Sequence, residues 1–396
     1  MRGHAMLLGT MLIAGVLVAP TTSEAAEAAP PPPPRHTLYA GGSSYPRVIR
    51  LAHSGSANGM LLASLTTVQN NNGEGVIEAS TDNGLTFHQI AVIKDPDATN
   101  GDGICCSTLY ELPSAVGAMP AGTVLWADTV GYSGAITQHT TRQRLWASSD
   151  HGTTWQFVSD IADAVSEYNT WEPSLSVAAD GSLVAFYSDE TDKANHDQKL
   201  VQVHSTDGVH WMDYRETVVS DTWSVRPGMA NEIRLPNGTY FMVYEVCNND
   251  KVHLCSIYYR TSADGWDYGD SLDLGTVIRT ADGKYARHTP NIAWSPGPGP
   301  QGTILVISEM LVNNDGSISP ENGATILAND NLGNGTWYEI PAPIAVAGVN
   351  NTGCKNFSPS ILPATDGTSV LEVDTDLAGS TCETYYATGP LAEPAT

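Results

Sequence analysis

The sequence predicts an all-β protein assembled from repeated units, and three observations carry that reading. Four stretches share one pattern, a small polar residue followed by an aspartate, a glycine and an aromatic: Ser80-Thr81-Asp82-Asn83-Gly84-Leu85-Thr86-Phe87, Ser148-Ser149-Asp150-His151-Gly152-Thr153-Thr154-Trp155, Ser205-Thr206-Asp207-Gly208-Val209-His210-Trp211 and Ser262-Ala263-Asp264-Gly265-Trp266-Asp267-Tyr268. Their aspartates stand 68, 57 and 57 residues apart, with a worn copy near Asp330 and Trp337 a further 66 on, a recurrence that means stacked or radially arranged units. The short runs at 124–128, 183–187, 240–244, 303–307 and 369–373 are β-branched and aromatic, as buried strands are, and no segment sustains a helical period.

Each repeated motif reads as a hairpin clip. The Asp side chain accepts from backbone N–H groups about two residues on, the glycine supplies a positive φ, and the aromatic closes over the turn. The pattern resembles the Asp-box of the sialidase-like superfamily; the first two copies match fully, and the last two lack one residue between Asp and Gly. That resemblance implies a six-bladed β-propeller, and six opening strands can be counted on its frame, at 45–51, 107–112, 171–175, 230–235, 289–294 and 357–362. Residues 37–42 are then expected to pair with the last blade and close the ring, which removes the sheet edges.

The chain opens Met1-Arg2, runs through an apolar stretch to Val18 and reaches Ala25, Ala26 and Ala28, the order of a secretory signal peptide, here assigned to 1–28. A stiff Pro-rich spacer follows over 29–36, and a single propeller domain over 37–396. No later stretch approaches the ~20 apolar residues of a membrane span, so a secreted protein is expected. Six cysteines in an exported chain read as disulfides, with Cys247–Cys255 and Cys354–Cys382 the expected pairs. Cys105-Cys106 is either a vicinal disulfide or two free thiols. A net charge of −25 and a pI near 4.5 argue against nucleic acid and against anionic membrane surfaces.

Sialidase-like enzymes use a central pocket at the starts of the innermost strands, and on that frame Glu172, nine residues before Gly181, falls where the sialidase pattern carries its catalytic glutamate. Glu245 lies seven after Gly238, and the same offset reaches Glu309 and Asp374, which predicts an acidic rim. Arg47, in Tyr45-Pro46-Arg47-Val48, resembles the first carboxylate-binding arginine of sialidases. Two departures exclude sialic acid as a good substrate. Glu245 stands where a second arginine is expected and would repel an anionic sugar, and Phe357-Ser358 stands where Tyr-Ser is expected, without a nucleophilic oxygen.

Two carboxyls and an arginine suit a neutral glycoside. Together with Cys105-Cys106-Ser107, Trp171-Glu172-Pro173-Ser174 and Tyr244-Glu245-Val246, they resemble the exo-1,5-α-L-arabinanases of the superfamily. The resemblance implies a retaining glycoside hydrolase that releases arabinobiose from the ends of plant cell-wall arabinan; a monomer is expected, although the sequence does not fix the oligomeric state. Glu172 is assigned as nucleophile and Glu245 as acid/base, with the reverse left open and Glu232 a rival for Glu245. An Arg47 salt bridge is an alternative explanation of Glu245 in its apolar run. The aromatics Tyr45, Trp171, Tyr187 and Tyr244 are expected at the rim, where sugar faces pack on rings. Asp128, Asn231, His288, Glu309 and Ser358 are further candidate substrate contacts. No zinc or EF-hand spacing is visible, so no metal or cofactor is expected. Alternative readings are a sialidase-like exo-glycosidase of other specificity and a non-catalytic propeller lectin.

Overall fold

In the computed structural model, which describes residues 34–132, 141–164, 168–297 and 299–391, six antiparallel sheets succeed one another along the chain. The expected signal peptide and most of the Pro-rich spacer lie outside the described residues. Blade one is a meander of Ser43–Arg50, Leu61–Gln69, Asn72–Ser80 and His88–Lys94. Blade two begins with Ile104–Glu111, blade three with Thr170–Val177, blade four with Arg226–Arg234, blade five with Asn291–Ser295 and blade six with Ser360–Pro363. These opening strands touch their neighbours all the way round, blade six meeting blade one, and so form the inner wall of a six-bladed propeller. The ring closes as expected: His36–Tyr39 pairs with Thr381–Pro390 and supplies the outer strand of blade six.

The core sits between blades, because each sheet is covered on both faces and its strands are apolar on both. In the second strand of blade two, Val124–Val130, the side chains of Val124 and Trp126 pack toward blade one, and those of Leu125 and Ala127 toward blade three. The second strand of blade three, Leu183–Asp189, repeats this: Leu183, Ala185 and Tyr187 face blade two, and Val184 and Phe186 face blade four. One such apolar layer fills each of the six gaps.

The four Asp-boxes form the predicted turns, with one difference in reach. In the two longer copies the aspartate accepts from the backbone N–H four residues on, Thr86 at 3.0 Å from Asp82 and Thr154 at 2.8 Å from Asp150. The extra residue, Asn83 or His151, is itself left-handed and lengthens the turn. In the shorter copies Asp207 and Asp264 accept from residues two and three on. The worn copy is built differently: Asn329, not Asp330, accepts from the backbone of Asn331 and Gly333, while Asp330 bonds Tyr338. Trp337 is buried in the layer between blades four and five.

All six cysteines are paired, Cys247 with Cys255, Cys354 with Cys382, and Cys105 with its neighbour Cys106.

A feature the repeats did not announce recurs at the head of every inner strand. Pairing with the second strand slips between Ser44 and Arg47, Cys105 and Thr108, Trp171 and Ser174, and Gly228 and Asn231. A non-glycine residue with positive φ sits in each slip: Tyr45 at 52°, Cys106 at 65°, Glu172 at 53° and Met229 at 56°. Thr289 at 45° and Ser358 at 57° hold the corresponding places ahead of blades five and six. Such bulges re-aim a side chain, and left-handed backbone is costly for residues other than glycine. Tyr45, Glu172, Thr289 and Ser358 also precede prolines, which ordinarily holds a residue in extended backbone.

Burial of acids sets a pH signature. Desolvation raises Glu172, Glu232 and Glu372 from 4.5 to about 8, and Glu309 and Glu78 to about 7. For these groups the folded state prefers the proton, so their contribution is complete below the ordinary carboxylate pKa and is lost as pH rises toward 8. Asp82 and Asp207 have the opposite sign: hydrogen bonds from Thr86 hold Asp82 down at about 2, and the His210 backbone N–H heads those that hold Asp207 lower still. Their contribution is present above the ordinary Asp range and lost in strong acid. Thermal melts at constant ionic strength should therefore give the highest midpoint near about pH 4 to 5, with a steady decline to pH 8. A midpoint that rises across that interval would contradict this assignment.

Candidate active site

The left-handed stations gather at one end of the ring around a cavity of about 430 Å³. Tyr45, Cys106, Glu172 and Met229 all reach its wall, joined by Trp171 beside Glu172 and by Glu245 from the second strand of blade four. Its volume lies in the roughly 300–1,000 Å³ range of small-ligand sites. Behind it the axis narrows to a space of about 10 Å³ between Arg47, Asn231 and Ser358, so the cavity is blind at its inner end.

The two carboxyls differ in surroundings. Glu245 is buried and its Oε2 accepts from the Thr289 backbone N–H at 3.0 Å and lies 3.1 Å from His288 Nδ1. Asn351 Nδ2 lies 2.9 Å from His288 Nε2. Burial alone would lower the imidazole's pKa, but Glu245 outweighs it and the net shift is upward, with Glu309 adding to it. Glu172 has no such donors at Oε2, which is buried without a partner. Desolvation raises it to about 8, the Ser188 hydroxyl opposes that, and Glu245 adds to it. Burial thus favours the proton on Glu172, while Glu245 is the carboxyl held by donors, and unequal surroundings of this kind are what paired-carboxylate chemistry needs.

A hydrogen-bonded chain links the stations behind this pair. Arg47 donates to Ser358 Oγ at 3.0 Å and to its carbonyl at 3.1 Å, Ser358 N–H to Thr289 Oγ1 at 3.1 Å, and Thr289 N–H to Glu245. Burial lowers the Arg47 pKa to about 10. Arg47 therefore braces Glu245 through two intermediaries and makes no salt bridge to it. Asn231 is likewise held in place, donating to the Pro290 carbonyl at 2.8 Å.

Several expected contacts lie elsewhere. Tyr187 is in the layer between blades two and three, because its parity points it there, and Tyr244 is fully buried and donates to the Leu274 carbonyl. Asp128 is fully buried inside blade two, opposite Arg144, because its strand runs on to Val130. Asp374 is buried beside Glu372 in mid-strand, so the acidic rim does not extend to blade six. Glu309 is buried behind His288 and is not on the cavity wall. Glu232, the rival of Glu245, lines a separate chamber of about 670 Å³ at the other end of the axis, where Tyr268 donates to it.

The sequence reading missed a polar shelf on the cavity wall. Arg226 donates to Glu190 Oε1 at 2.5 Å and to Gln198 Oε1 at 2.6 Å, and Trp171 Nε1 donates to Glu190 Oε2 at 3.1 Å. Gly228 makes room for it: a Cβ there would lie 2.3 Å from Gln198 Nε2 and 2.5 Å from Ser188 Oγ. Arg226-Pro227-Gly228 was a visible signal, a charged residue before proline at the head of an inner strand.

No protein-family model and no curated protein matches the chain. Among solved structures it is similar to an α-L-arabinanase of Penicillium chrysogenum in complex with arabinobiose, with 28% identity, a TM-score of 0.76, and coverage of 91% of this chain and 99% of that one. It is also similar to the GH93 α-L-arabinofuranosidase of Fusarium graminearum with arabinobiose, at 26% identity and a TM-score of 0.74 over 90% of this chain and 97% of that one. The NanB sialidase of Streptococcus pneumoniae shares the fold at 10% identity and a TM-score of 0.57, over 90% of this chain and 70% of that one. The chain is thus similar to two arabinobiose-bound enzymes over almost its whole described length and shares the six-bladed propeller fold of the sialidase.

A protonated Glu172 is directly observable. Difference infrared spectra between pH 6 and pH 9 should show loss of a protonated carboxyl C=O band, reduced by one group in Glu172→Gln. Identical difference spectra for the two proteins would show that Glu172 is ionised at neutral pH.

Proposed function

We propose that the chain is an exo-acting glycoside hydrolase that releases arabinobiose from the ends of α-1,5-linked arabinan with retention of configuration. The observation that carries this reading is the pair of carboxyls in unequal surroundings on the wall of one blind cavity. The similarity to two arabinobiose-bound enzymes over almost the whole propeller supports the substrate. A blind cavity suits exo action, since only a chain end can enter it. The sialidase alternative meets Glu245, a carboxyl, where an arginine would be needed, and a lectin would have no use for two carboxyls in such unequal surroundings.

The surroundings favour the reverse of the first assignment, with Glu172 as acid/base and Glu245 as nucleophile. A Glu245 oxygen attacks the anomeric carbon while the Glu172 proton passes to the departing glycosidic oxygen, so the leaving chain departs neutral. The Thr289 N–H and His288 hold the attacking carboxylate in one orientation. Glu172, now a carboxylate, takes a proton from the incoming water, whose oxygen displaces Glu245 and frees the disaccharide. The Arg226, Glu190 and Gln198 shelf offers charged hydrogen-bonding groups to sugar hydroxyls, and Trp171, fixed through its indole N–H, offers a ring face. We further propose that residues 1–28 direct export and that 37–396 act as one catalytic domain outside the cell.

Linear arabinan should yield arabinobiose as the first product, α-configured when followed by proton NMR before mutarotation; arabinose as the first product would refute the specificity, and the β anomer the retention. Activity should fall about tenfold per pH unit above about pH 8 as Glu172 loses its proton, a limb absent from the residual activity of Glu172→Gln. With an activated aryl arabinobioside, azide should rescue Glu172→Ala to an azide of retained configuration and Glu245→Ala to the inverted one; the opposite pattern would restore the first assignment of roles.

A further inference from the structure

We propose that the Cys105–Cys106 disulfide is a substrate-contact surface, a rigid apolar platform on which a furanose ring of the bound arabino-oligosaccharide rests. The proposal builds on the function above and adds a specificity element to the same cavity.

A disulfide between adjacent residues is a poor staple. Cross-linking stabilises a fold chiefly by restricting the unfolded chain, and the effect grows with the loop closed. Cys247–Cys255 and Cys354–Cys382 span separations of 8 and 28 residues, while Cys105–Cys106 spans a separation of 1. Its contribution therefore lies in local shape, and that shape faces the cavity. Both cysteines line the wall, at 8% and 4% exposure, and Cys106 occupies the left-handed station that Glu172 occupies one blade on.

The chemistry of the surroundings divides the wall in two. Glu172, Glu190, Gln198, Arg226 and Glu245 supply charge and hydrogen bonds. The disulfide packs instead with Tyr45, Met229, Tyr132, Trp171 and Phe357, a wholly apolar or aromatic group. Sulfur in a disulfide carries no proton and no charge, so it leaves no polar group unpaired beneath a sugar's C–H face. Its polarisable electrons make good dispersion contacts. The short covalent ring holds both sulfurs still, so little side-chain freedom is lost when a sugar settles on them.

The test uses the native enzyme. A small phosphine reductant is applied with and without arabinobiose, the freed thiols are alkylated, and each disulfide is followed by mass spectrometry, with Cys354–Cys382 as internal reference. With arabinobiose at ten times its dissociation constant, loss of Cys105–Cys106 should slow by roughly tenfold while the reference is unchanged; equal rates overturn the platform. The Cys105→Ala/Cys106→Ala double variant gives a second readout. Its KM for linear arabinotetraose should rise about tenfold, by more than its kcat falls, and an unchanged KM in a variant that melts normally overturns the proposal. Turnover of arabinan by the native enzyme separates the two readings: turnover without protection defeats the platform alone, and no turnover defeats both.

Discussion

A left-handed residue at the head of each inner strand is the constraint on which the site depends. The bulge turns Tyr45, Cys106, Glu172 and Met229 toward the axis at a point where an unbroken strand would keep alternating its side chains between two blades. Thr289 and Ser358, at the same stations in blades five and six, use their backbone and hydroxyl groups to tie Arg47 to Glu245. Neighbouring groups hold several of these conformations: Ser358 N–H donates to Thr289 Oγ1, and Met229 N–H donates to Ser188 Oγ in the second strand of blade three. Local backbone energy disfavours all six, four of them doubly because a proline follows.

Much of the fold was legible in the sequence because its fasteners are local. The Asp-box turns lie within eight residues, so their spacing could be read directly, and they framed the blades well enough to bring Glu172 and Glu245 to one cavity. Asp128 and Asp374 lie within strands that continue to Val130 and Ala378, and both are enclosed in their blades. Tyr187 failed by parity, since a residue in a strand of period two faces one blade or the other, and Tyr187 packs toward blade two. The shelf of Glu190, Gln198 and Arg226 had one local signal, Arg226-Pro227-Gly228. It joins blades three and four through side chains whose meeting depends on loop paths that no short motif encodes.

Electrostatics in this molecule are decided more by burial than by pairing. A chain of net charge −25 buries several acids that prefer to be neutral in the folded state. A shift from 4.5 to about 8 represents several kcal/mol of preference for the protonated form. Glu372 is fully enclosed in blade six, while Glu172 lies on the cavity wall beside Glu245. The same desolvation acts in both blades, and access to the cavity is what separates the two groups.

The closing strand has a kinetic meaning as well. Ser43 and Thr384, whose hydroxyls bond at 2.7 Å, are 341 residues apart, and His36–Tyr39 lies against Thr381–Pro390. The last blade cannot be completed until nearly all of the chain has emerged, so the ring is a late event in folding, of high contact order. Until then blade six presents an open edge, and blades made earlier can form only as an arc. A chain of this topology remains unclosed for most of its synthesis, a state in which threading through a narrow export channel is still open to it.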